Sequence, residues 1–105
     1  MRREPGVPDV HLFVCANRRD ASSPLGPGCG DAGERVYAAM KSDVAERGAY
    51  RAIWVTKTHC LGVCPKHGAT AVVYSSRPVA AALFREVEEA DARALIDDAV
   101  NGRLA

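Results

Sequence analysis

The chain has 105 residues, 48% of them hydrophobic and 26% charged, with a formal net charge of +1. That balance supports one domain around one core. It offers no long basic run on which nucleic-acid binding could rest. The apolar run from Val10 to Val14 is too short for a signal peptide or a membrane span. The chain is therefore expected in the cytoplasm, where thiols stay reduced unless a metal or a catalytic role claims them.

Residues 1–8 read as a short polar lead-in and residues 9–105 as the domain. From Asp9 to Ala16, Val10, Leu12 and Val14 alternate with His11 and Phe13, which predicts a strand ending at Cys15. The stretch from Asn17 to Gly30 is rich in Ser, Pro and Gly and predicts a long flexible loop carrying Cys29. Asp31 and Glu34 are spaced like a capping box. Val36, Tyr37, Met40 and Val44 then fall on one helical face, and Gly48 stands where a helix would stop. Tyr50 to Thr58 predicts a second strand, with Ile53 and Val55 on one side and Trp54 and Thr56 on the other. Strand, helix, strand implies a parallel crossover.

Thr70 to Tyr74 and Pro78 to Phe84 predict two further strands, with Ser75-Ser76-Arg77 as their hairpin. Glu88 to Asn101 predicts the last helix. Ala92, Leu95, Ile96, Ala99 and Val100 form its apolar stripe, and Glu88, Glu89 and Asp91 put negative charge on its first turn. The order βαβ then ββα, with two helices packed on a mixed four-stranded sheet, is a thioredoxin-like α/β arrangement. Trp54 and Phe13 read as core residues of their strands.

The chemistry lies in four cysteines, Cys15, Cys29, Cys60 and Cys64. Cys60 and Cys64 enclose Leu61-Gly62-Val63 and are followed by Pro65, so they occupy a tight turn rather than a helix. Structural zinc sites usually draw on two close pairs, whereas this chain has one close pair and two lone cysteines. A dithiol exchange pair is Cys-x-x-Cys at a helix start, which Cys60 and Cys64 are not. Cys15, Cys60 and Cys64 lie at or just beyond strand ends and Cys29 just before a helix, so all four can converge on one edge of the sheet. An iron–sulfur cluster is the leading reading, with zinc and disulfides as alternatives. His59 and His67 flank the turn, but a Rieske-type centre replaces two cysteines by histidines, and here all four cysteines are present. Arg18, Arg19 and Lys66 read most simply as solvated loop charges.

Cys15-Ala-Asn-Arg, Gly-Cys29-Gly-Asp-Ala-Gly-Glu and Cys60-Leu-Gly-Val-Cys64-Pro resemble the thioredoxin-like [2Fe-2S] ferredoxins, small bacterial electron carriers. The resemblance spans Val10 to about Gly102. It implies that Cys15, Cys29, Cys60 and Cys64 ligate one [2Fe-2S] cluster per chain, that the protein carries one electron without turning over a substrate, and that it is often a homodimer. The family commonly continues with Gly-Pro after the fourth cysteine, where this chain has Lys66-His67-Gly68.

Two other roles stand beside the free carrier. One is a relay subunit of an NADH or formate dehydrogenase-type complex, and the other a zinc-stabilised interaction module. Relay subunits usually bear an extra N-terminal helical region, and only a few residues precede the first strand here, which leads us to expect the carrier. Its partners would be a reductase and an electron acceptor. Arg18, Arg19, Lys57 and Lys66 outnumber Asp20 and Asp31 around the cysteines, which suits a partner surface of negative potential. Cys60 and Cys64, on a short turn, are expected to tolerate replacement less well than Cys29 on its long loop.

Overall fold

The alternation of Val10, Leu12 and Val14 becomes an interior strand of a four-stranded sheet in the computed structural model, which describes residues 1–20, 22–24, 26–62, 65, 67–76 and 79–104. The elements are β1 (Val10–Cys15), α1 (Gly30–Arg47), β2 (Ile53–Thr58), β3 (Ala69–Ser76), β4 (Val79–Val87) and α2 (Ala92–Val100). The sheet order is β2-β1-β3-β4. β1 runs parallel to β2, in register from Val10 with Ile53 to Cys15 with Thr58. β1 and β3 pair antiparallel, as do β3 and β4. The expected thioredoxin-like order is the one observed.

One face of β1, β2 and β3 meets the helices. Leu12, Val14, Met40 and Ile96 are fully buried there, with Val36 and Val44 beside them. Burying each such side chain stabilises the fold by about 1.5–3 kcal/mol. Gly48 ends α1 in the left-handed conformation (φ 64°), and its amide bonds the carbonyls of Ala45 and Val44. Only glycine takes that conformation without a Cβ clash. Arg47 joins the helices, 2.7 Å from Asp43 and 2.6 Å from Asp97, while the buried Asp43 also takes Arg93 at 3.2 Å.

Several sequence expectations change in detail. The Asp31–Glu34 capping box does not form: α1 begins one residue earlier, with Cys29 as N-cap and no side-chain cap. Tertiary partners claim both carboxylates instead, Arg18 pairing with Asp31 at 2.6 Å and Lys57 with Glu34 at 3.2 Å. At the other helix, Glu88 and Asp91 cap each other across a 3-10 turn at Glu89–Asp91 before α2 begins. Ser75 and Ser76 continue β3, paired with Ala80 and Val79, while the expected hairpin residue Arg77 lies outside the described residues.

Trp54 and Phe13 are not under the helices. They lie on the opposite face of the sheet, where Trp54 is 46% exposed and Tyr74 52%. His11 stacks on Phe13 with ring centroids 4.0 Å apart, and Trp54 and Tyr74 meet these two rings edge-on. Among the described residues no helix is long and apolar enough to cross a membrane.

Candidate metal centre

Parallel pairing puts the ends of β1 and β2 together. β3 enters antiparallel at that same end, and α1 starts beside it. Cys15 therefore closes β1 at 2% exposure, and Cys29 stands at the N-cap of α1 at 4%. Backbone bonds fasten the intervening loop: Gly30 N–H to the Asn17 carbonyl and Arg19 N–H to the Pro27 carbonyl, both at 3.0 Å. The Ala16 amide extends the β1–β2 ladder to the Thr58 carbonyl at 3.0 Å.

Glycines make this closeness possible. A Cβ on Gly33 would stand 2.0 Å from the Cys15 carbonyl oxygen, and one on Gly28 2.2 Å from that of Asn17. These glycines are places where two pieces of backbone touch. Arg18 lies over the first residue of α1, its guanidinium 3.3 Å from where a Gly30 Cβ would be, and it holds the Asp31 carboxyl below its ordinary value.

Burial pushes the Cys29 thiol above its ordinary value. A backbone hydrogen bond from Thr70 pulls it down, and the neighbouring Cys15 thiol pushes it further up. Cys15 and Cys29 are thus adjacent, buried thiols at one end of the sheet. Cys60 lies beyond β2 and is exposed. Its sulfur accepts the Gly62 amide at 3.2 Å and the Arg19 Nη2 at 3.3 Å. Cys15, Cys29 and Cys60 are all free thiols. Cys64 lies outside the described residues, as does Lys66. Among the described residues no three His, Cys, Asp or Glu side chains form a metal-holding group.

His59 is exposed. His67 is exposed too, with its Nδ1 2.9 Å from Glu88 and its Nε2 3.8 Å from Glu86. Hydrogen bonding to Glu88 and the nearby Glu86 charge raise its pKa.

Two expectations are corrected here. Arg18 and Arg19 are not simply solvated: one pairs with Asp31 and the other donates to the Cys60 sulfur. Cys29 is not on a loosely held loop but at a helix cap whose next residue, Gly30, bonds back to Asn17 just beyond β1. Sequence reading missed Arg19 as a sulfur partner, because nothing local relates residues 41 positions apart. It likewise gave no sign of Thr70.

The chain is similar in structure to the wild-type thioredoxin-like [2Fe-2S] ferredoxin from Aquifex aeolicus. The TM-score is 0.73 at 21% identity, over 91% of this chain and 89% of that one. The fold is thioredoxin-like. A second structure of a thioredoxin-like [2Fe-2S] ferredoxin from Aquifex aeolicus gives a TM-score of 0.73 at 22% identity, over 91% of this chain and 84% of that one. A cysteine-to-serine variant of that ferredoxin gives 0.71 at 22%, over 89% and 88%. No family model and no curated protein matches the chain. The thioredoxin-like likeness therefore rests on backbone shape.

Proposed function

We propose that the chain is a one-electron carrier whose Cys15, Cys29, Cys60 and Cys64 hold a [2Fe-2S] cluster. The observation that carries this is the adjacent pair of buried thiols, Cys15 and Cys29, at the sheet end where the Cys60 sulfur also receives two N–H donors. The donor set fits such a group. Buried thiols resist ionisation in apolar surroundings, and a metal displaces their protons by supplying the missing positive charge. Soft thiolates select iron–sulfur clusters, copper(I) or zinc.

When bound, the cluster supplies a single-electron couple. The chain's own residues hold and shield it. Cys15 and Cys29 offer sulfur from a wall of packed backbone, while Gly62 and Arg19 direct N–H groups at the sulfur of Cys60. The fold shared with the Aquifex aeolicus ferredoxins supports the same reading. Two cysteine-to-serine variants of that ferredoxin stand four positions apart in its chain, the separation of Cys60 and Cys64 here. Redox partner proteins would dock where Cys60 is exposed. The chain would transform no substrate itself.

Anaerobic purification with iron, sulfide and zinc analysis tests this. About two irons and about two acid-labile sulfides per chain, with visible absorption, are expected. Stoichiometric zinc in a colourless protein would overturn it.

A further inference from the structure

Arg19 occupies a position that a solvated loop charge would not. Its backbone is fixed by the bond from its amide to the Pro27 carbonyl at 3.0 Å. Its half-buried side chain crosses from the loop after β1 to the turn after β2 and ends 3.3 Å from the Cys60 sulfur. A guanidinium is always charged and presents its donors in a fixed plane. Among the described residues the other donor to that sulfur is the Gly62 amide, which is neutral. Arg18, the preceding residue, sends its charge to Asp31 at 2.6 Å.

We infer that Arg19 is a potential-setting residue, its guanidinium favouring the reduced form of the centre through the charged N–H bond to the Cys60 sulfur. The inference rests on the cluster reading above. Reduction adds one negative charge to a group already at about −2. A fixed positive charge beside one of its sulfurs stabilises the more negative state more, and hydrogen bonds to charged acceptors are about twice as strong as neutral ones. The electron comes from an outside one-electron donor, and no bond forms or breaks. Arg19 touches the sulfur and not the electron's source, so its effect is on the equilibrium.

The test is the midpoint potential, measured on the loaded protein at an electrode. Arg19→Gln is expected to reduce the equilibrium tendency to take the electron about tenfold, a downward shift of about 59 mV for a one-electron couple. Arg19→Lys keeps the charge without the planar fork and should shift it less. Arg51→Gln removes the same charge from the exposed turn before β2, at the far end of the sheet, and sets the background. A downward shift in Arg19→Gln well beyond that background, with loading unchanged by absorbance, supports the assignment. A shift no larger than that of Arg51→Gln, or an upward one, overturns it. If Arg19→Gln takes up no cluster, Arg19→Met, which also removes the charge, is read against the same background with the same two outcomes. A wild-type protein without iron instead overturns the cluster reading, so the two failures are separable.

Discussion

Cys15 and Cys29 stand in a wall made of main chain, whereas Cys60 stands on a surface turn with two hydrogen bonds to its sulfur. On the first side backbone touches backbone, and the glycines are there because nothing larger fits. On the second side a Cβ added to Gly62 would meet nothing within 4 Å. One end of a small sheet thus joins a rigid half to an accessible half. The proposed carrier role would need both, since a cofactor must be held firmly yet come close to a partner.

The largest break in this contrast should come from the glycines. Gly33→Ala is expected to destabilise the protein by about 3 kcal/mol, the upper range for forcing atoms into a packed site, because the clash is with the Cys15 carbonyl and not with a movable side chain. Gly62→Ala should cost about 1 kcal/mol, the strain of a left-handed residue in open space. Denaturant unfolding of the apoprotein measures both. Equal losses would mean the two halves are equally tight.

Replacing the cysteines sharpens the contrast next. Cys29→Ser is expected to hold little cluster, since a buried cap fastened to the chain just beyond β1 cannot shift to suit a shorter bond. Cys60→Ser should keep an altered cluster, because its turn is exposed. The visible spectrum after anaerobic reconstitution decides, and more cluster in Cys29→Ser than in Cys60→Ser would reverse the ranking. This inverts the order expected from loop length alone.

The smallest effects concern pH, and the two halves should respond in opposite directions. Asp31 has its pKa lowered by Arg18 from an ordinary 3.8. Its contribution is present above that value and is lost as pH falls through the lowered one. His67 has its pKa raised by Glu88 and Glu86 from an ordinary 6.5. Its contribution is full below that value and is lost as pH rises through the raised one. Thermal midpoints of the apoprotein are expected to separate wild type from His67→Gln more at about pH 6 than at about pH 9. For Asp31→Asn the separation should be larger at about pH 6 than at about pH 3. Both groups lie at the surface, so the differences are small. A separation that does not change with pH would remove these ion pairs from the account.

Much of the architecture was legible because it is written in local periodicity. The strand alternation of β1, the buried face of Val36, Met40 and Val44, and the stop at Gly48 all depend on neighbours in sequence. β4 was read short: Arg85 and Glu86 break the apolar pattern, yet the strand continues to Val87 through an irregularity at Ala69–Ala71 and a positive φ at Glu86. At the site, the cysteines were visible as residues and their unequal burial was not. Burial of Cys29 depends on which backbone packs against Gly28 and Gly33. In the same way, Asp31 and Glu34 carry the spacing of a cap but lie opposite Arg18 and Lys57, and tertiary charge prevailed over local geometry.

The crossing bonds between Asn17 and Gly30 and between Arg19 and Pro27 consist of polypeptide alone. They close the loop between Cys15 and Cys29 without using either sulfur. Fixing a residue's backbone costs about 1–2 kcal/mol of conformational entropy. For the residues these bonds pin, that cost falls on folding rather than on loading. Affinity for whatever Cys15 and Cys29 would hold in the proposed role is then not diminished by ordering those residues, which is the advantage of a preorganised receptor over one that must be shaped by its guest.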